Sequence, residues 1–197
     1  MGYIFTTEET QKITNRFGQI FFEKLSDYIK LYSDKWKLKS LQLVDYFSVN
    51  CIFLCESECF GSTVLKIGNL QYNSAANEYN ILTEYNGNKF CKVYAFDLDN
   101  GVLLIEQIRP ATWLRVEKDL EKRLSVFVSL FNGLHIAPKS LDIYPTYMGW
   151  VNRITKYMRG RKDYADLYSY MKKAENICVN YKTMLFYRNS NGELLVR

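Results

Sequence analysis

Between about residue 39 and residue 105 the apolar residues abandon helical spacing and gather into short runs. No other feature of the chain constrains its fold as much. The runs are Leu41, Leu43, Phe47 and Val49; Ile52, Phe53 and Leu54; Val64, Leu65 and Ile67; Cys91 to Phe96; and Val102 to Ile105. Turn-forming residues bound them. Glu58-Cys59-Phe60-Gly61-Ser62 separates the second run from the third, and Asp97-Leu98-Asp99-Asn100-Gly101 separates the last two, where Asn-Gly is a strong hairpin signal. One interval breaks the pattern. Beyond the polar stretch Asn69 to Asn77, the residues Tyr79, Ile81, Leu82 and Tyr85 recur at helical spacing, and Gly87 stops that helix because glycine tolerates the left-handed cap. Three strands, a helix and two strands predict an α+β fold: a five-stranded antiparallel sheet with one helix inserted between its third and fourth strands. The alternating order of a parallel α/β sheet is excluded.

Helices flank this core. Thr6-Thr7-Glu8-Glu9 supplies capping residues, and Ile13, Phe17, Ile20, Phe21 and Leu25 then predict an amphipathic helix over 8–31. After Arg109-Pro110 a second helix is expected over 115–135, with Leu120, Leu124, Phe127, Leu130, Phe131 and Leu134 on one face. Pro138 ends that segment. Further helices are expected at 146–158 and 163–186, followed by a turn-like tail and a short strand at Leu194 to Val196. The predicted organisation is an N-terminal helical segment (1–35), a sheet domain (36–108) and a crossing segment leading into helices (109–197).

Of the 197 residues 48% are hydrophobic, 24% are charged and only three are proline, which supports a packed core rather than disorder. The formal charge of +5 is spread among mixed residues, densest from Arg153 to Lys162. A nucleic-acid module is expected to be more basic and less mixed, so no nucleic-acid partner is expected and this stretch reads as a solvated helix end. The cysteines Cys51, Cys55, Cys59, Cys91 and Cys178 include no Cys-x-x-Cys pair, and with one histidine no zinc site is expected. An odd number of thiols without a leader predicts a reducing cytoplasm. No apolar run has the length of a transmembrane helix, since Gln19, Glu23 and Lys24 interrupt Phe17 to Leu25, and no membrane partner is expected.

The residue that calls for chemistry is Lys66, set inside the apolar strand Val64-Leu65-Lys66-Ile67-Gly68. A lysine among such neighbours is costly unless an anion meets it or its stem reaches water. Glu78 near the start of the next helix is one partner, and Glu84 on the same helix competes. The strand ending Ile105-Glu106-Gln107-Ile108 offers backbone groups before Pro110, and Ser48-Val49-Asn50 at the first bend offers small polar side chains, though no Gly-x-Gly-x-x-Gly is present. For each of these an ordinary strand end or turn is the alternative.

The ordered phrases Tyr46-Phe47-Ser48-Val49-Asn50, Val64-Leu65-Lys66-Ile67-Gly68, Tyr85-Asn86-Gly87, Cys91-Lys92-Val93-Tyr94, Gly101-Val102-Leu103-Leu104-Ile105-Glu106 and Arg123-Leu124 to Leu134-His135 resemble the aminoglycoside/hydroxyurea antibiotic-resistance kinase family, of the streptomycin 6-phosphotransferase type. The resemblance covers about residues 36–138 well and 139–182 loosely. It implies a protein-kinase-like N-lobe followed by the start of a helical C-lobe, and ATP-dependent phosphorylation of a small-molecule hydroxyl. Lys66 would be the phosphate lysine and Glu78 its helix partner. Glu106, Gln107 and Ile108 would form the adenine hinge, with Ser48 and Asn50 lining the nucleotide cleft. The family also uses Mg²⁺ and a His-x-Asp-x-x-x-x-Asn loop. The only histidine, His135, is followed by Ile136-Ala137-Pro138, so the catalytic base and metal ligands are expected to be missing. The expectation is a C-terminally truncated, inactive chain that self-associates through exposed C-lobe helices. A nucleotide-binding pseudokinase and a non-catalytic interaction module are the alternatives.

Overall fold

Helix initiation at the N terminus follows from two side chains. In the computed structural model, which describes residues 3–45, 49–68, 74–109, 114–140, 143–144 and 146–180, the Thr6 hydroxyl accepts the Glu9 amide at 3.2 Å and the Glu9 carboxylate accepts the Thr6 amide at 2.8 Å. This reciprocal capping box starts α1 (Thr7–Phe17). The single helix expected over 8–31 is in fact two, because Gly18 takes φ 89° and ψ 161° and the chain restarts as α2 (Gln19–Trp36). That backbone region is essentially closed to residues with a side chain. The break lets both helices bury apolar residues in one core, Ile13 from α1 and Leu25, Ile29, Tyr32 and Trp36 from α2.

The strands are β1 (Leu38–Leu43), β2 (Asn50–Ser57), β3 (Gly61–Gly68), β4 (Val93–Asp97) and β5 (Val102–Glu106), and α3 (Ser74–Tyr85) lies between β3 and β4 in sequence. All pairings are antiparallel in the order β1-β2-β3-β5-β4. The fold is α+β, with the helix inserted after the third strand. The first strand ends at Leu43 rather than near Val49, and Phe47 lies outside the described residues.

Strand alternation sorts the two faces of the sheet. Cys51, Phe53 and Cys55 of β2, Leu65 and Ile67 of β3, and Val102 and Leu104 of β5 share the core with α1 and α2. Leu103 and Ile105 pack with Ala75 and Leu82 of α3 in a second cluster that includes Val64, Cys91 and Val93. Because β5 is covered on both sides, its sequence is a continuous apolar run instead of an alternating one. The N-terminal helices are therefore integral to the sheet's packing and do not form a body of their own.

A polar cluster fixes α2 to the β4–β5 turn. The Tyr32 hydroxyl donates to Asp97 Oδ2 at 2.8 Å, and Asn100 reaches the Tyr32 oxygen at 3.0 Å and Asp97 through its own amide at 3.1 Å. Burial opposes ionisation of Asp97, but the bonds from Tyr32 and Asn100, together with Lys35, outweigh it and hold the carboxyl below its ordinary range. A carboxyl depressed in the folded state stabilises the fold above its unfolded pKa, and that contribution is lost as pH falls through the folded pKa. Asp97→Asn is thus expected to be less stable than wild type at neutral pH, with the gap closing below about pH 4. Urea midpoints measured across that range check it, and a gap that stays constant with pH would refute the electrostatic account.

Beyond the sheet, a 3₁₀ turn at Leu114–Val116 precedes α4 (Leu120–Phe131). The helix expected over 115–135 is shortened because Asp119 takes an extended conformation and caps the Lys122 amide at 3.2 Å. At its other end the Lys89 ammonium donates to the carbonyls of Ser129, Leu130 and Asn132, a favourable place for a cation. The face bearing Leu120, Leu124, Phe127 and Phe131 is exposed.

The chain divides into two compact units between Leu134 and His135. In the second, α5 (Tyr147–Met158) packs on α6 (Tyr168–Val179), burying Thr155 and Met158. The helix expected over 163–186 begins as a 3₁₀ segment at Lys162–Leu167, and residues 181–186 and the Leu194 to Val196 strand lie outside the described residues. Among the described residues no helix is long and apolar enough to cross a membrane.

Candidate functional site

Alternation on β3 puts Leu65 and Ile67 toward α1 and α2, and so turns Lys66 to the face that α3 covers. Its cross-strand neighbours are Ile52 and Leu103, both apolar. A cation held there needs a compensating charge. The Lys66 Nζ meets Glu78 Oε1 at 2.6 Å, with 17% and 12% of the two side chains exposed. Of the two glutamates on α3, helix phase decides between them. Glu84 stands six residues beyond Glu78, about 240° further round the helix, so the face that presents Glu78 to the sheet turns Glu84 away.

Asn50, buried, pairs with Gly68 at the same end of the β2–β3 ladder and lies one diagonal step from Lys66 on the same face. Ser48 lies outside the described residues. Leu103 stands opposite Lys66 on β5, so the segment 106–108 begins three residues along the strand, about 10 Å away. The side chains and amides of Glu106 and Gln107 are engaged elsewhere. The Glu106 amide donates to the Lys92 carbonyl at 2.8 Å, and its carboxylate accepts the Lys92 amide at 3.1 Å. The Gln107 amide donates to the Ser62 carbonyl at 3.2 Å, while its side-chain oxygen accepts from Arg109 at 2.8 Å. Arg109 also reaches Glu56 at 3.3 Å, and Ser62 donates to the same carboxylate at 2.9 Å. Ile108, half-buried, follows this tied-down stretch.

Sequence reasoning missed Cys91. It packs in the α3-side cluster. Burial, and then the charge of Glu78, push its thiol up to about 11, with Lys66 pulling the other way. The thiol is therefore protonated at neutral pH, and a nucleophilic role does not suit it. Nothing in the sequence distinguishes Cys91 from the other cysteines, because its place comes from tertiary packing in the α3-side cluster. His135 is exposed and lies past the end of α4. Among the described residues no group of three or more His, Cys, Asp or Glu side chains is arranged to hold a metal.

The sheet thus presents one salt-bridged lysine on its middle strand, a polar side chain beside it, and a braced strand exit on the neighbouring strand. No protein-family model matches the chain, and no curated protein matches it.

Proposed function

We propose that the sheet and α3 form the nucleotide-binding lobe of a protein-kinase-like phosphotransferase, of the aminoglycoside/hydroxyurea resistance type, and that this chain binds ATP through it. The Lys66–Glu78 contact at 2.6 Å carries the reading. Kinases set the phosphate lysine on the third strand and its carboxylate partner on the helix that follows; here the lysine stands on β3 and its carboxylate partner on α3. Glu78 orients the ammonium so that its remaining hydrogens donate to phosphate oxygens, and Asn50 adds a polar group on that side. The spacing of about 10 Å along β5 suits an extended nucleotide with its base at the strand exit. With the Glu106 and Gln107 amides engaged in the sheet, adenine readout falls to Ile108.

Phosphoryl transfer to a small-molecule hydroxyl is the activity that the family resemblance attaches to such a lobe. Magnesium would arrive with the nucleotide. The described residues do not provide a ligand cluster for it.

Calorimetric titration with ATP tests the reading. Wild type is expected to bind, and Lys66→Met to bind about tenfold or more weakly, because a hydrogen bond to a charged group contributes about 1.5–3 kcal/mol. Adenosine affinity should change little. A folded wild-type chain that gives no binding at millimolar ATP overturns the proposal.

A further inference from the structure

The second unit carries a surface that the nucleotide reading does not use. On α5 the residues Tyr147, Trp150, Ile154 and Tyr157 follow a three-four-three spacing, which places them on one stripe of the helix. Each is at least 47% exposed. Met158 borders this stripe, about 20° from Tyr147 in helical phase, and it is buried together with Thr155, so α6 covers one edge of the apolar face of α5 and leaves the rest open.

The charge around the open stripe has one sign. From Thr146 to Lys162 the chain carries Arg153, Lys156, Arg159, Arg161 and Lys162 and no acidic residue, a surplus equal to the formal net charge of the whole chain, +5. At 3.6 residues per turn Arg153 and Lys156 fall on the side of the stripe away from Met158. Arg161 closes its C-terminal end, with its guanidinium 4.1 Å from the centre of the Tyr157 ring and a 2.7 Å bond to the Tyr157 hydroxyl. Acidic residues nearby are Asp163 and Asp166 in the 3₁₀ segment and Glu175 on α6, which pairs with Lys172 at 2.7 Å.

We infer that this face of α5 docks on an anionic lipid surface, with the aromatic–isoleucine stripe in the headgroup boundary and Arg153, Lys156 and Arg161 against the lipid phosphates. A helix with a Trp- and Tyr-bearing stripe, basic flanks and low overall hydrophobicity is built to lie in a membrane interface. Aromatic rings and cations also serve single-stranded nucleic acid, but there the rings stack on bases inside a groove. Here the stripe runs along a convex helix and includes Ile154, which cannot stack. The sequence-based expectation of no membrane partner rested on the lack of a spanning segment, and a helix lying in the interface needs none.

The test is co-sedimentation of the full chain with mixed phosphatidylcholine–phosphatidylglycerol vesicles, with phosphatidylcholine vesicles and poly(U) RNA as comparisons. Two variants at exposed positions separate the contributions: Trp150→Gln with Ile154→Gln, and Arg153→Glu with Lys156→Glu. Binding to the anionic vesicles alone, weakened by at least about tenfold in each variant while circular dichroism is unchanged, is the expected result. Equal binding to both kinds of vesicle overturns the proposal, as does binding that either variant leaves intact. Binding to RNA without binding to vesicles overturns it in favour of nucleic acid.

Discussion

Glu78→Leu is expected to lower the unfolding free energy of the sheet unit by about 2–4 kcal/mol, whereas Lys66→Met combined with Glu78→Leu restores wild-type stability or exceeds it. The single variant leaves a cation against Ile52 and Leu103 with its carboxylate gone. Breaking a buried pair costs about 3–5 kcal/mol, and the residual exposure of both side chains lowers that figure. The double variant removes both charges and lets the sheet meet α3 through apolar contact. ATP binding is expected to be weakened about tenfold or more in both. Urea denaturation combined with ATP titration therefore separates two roles for the pair. Recovery of stability without recovery of binding means that Lys66 and Glu78 serve the ligand. A double variant as unstable as the single one would mean that the pair serves the fold, and the nucleotide reading would lose its main support.

Phe53→Ala is expected to cost about 3–5 kcal/mol, the range for deleting a buried aromatic ring. Phe53 is fully buried on the face of the sheet that packs with α1 and α2, and its ring meets Tyr3 edge-on at 5.3 Å and Phe5 at 6.3 Å. The cavity would open between the sheet and the N-terminal helices, so the loss should not stay local. Hydrogen exchange is expected to show amides of α1 and α2 losing protection together with those of β2 and β3. If α1 and α2 kept full protection while the sheet weakened, the helices would be packing independently of the sheet core.

The strands were legible because alternation is a two-residue pattern that needs only neighbours in sequence. The order of elements, with α3 inserted after β3, followed from it. The break at Gly18 was not legible, since Ile13, Phe17, Ile20 and Phe21 keep helical spacing across it and a glycine inside a helix is tolerated. Only the positive φ distinguishes it, and φ is decided by how the two helices pack on the sheet. For α4 the start was written in Asp119, an acceptor at the right place, but the helix pattern alone extended past it on both sides. At the site, Lys66 was singled out by its apolar neighbours, while the choice between Glu78 and Glu84 required the phase of α3 relative to the sheet. Cys91 and the Arg109–Glu56–Ser62 brace depend on contacts between segments distant in sequence, which no local window contains.

The elbow at Gly18 separates two requirements that usually coincide at a critical residue. A Cβ added there would meet no atom within 4 Å, and the residue is exposed, so neither packing nor burial limits what can stand at position 18. The limit is torsional: φ 89° with ψ 161° admits glycine and rejects the other residues. Drift of the sequence at this solvent-facing point is therefore as restricted as drift in the core. The inserted angle also decouples the composition of the two helices, since α1 and α2 no longer have to share one continuous apolar stripe.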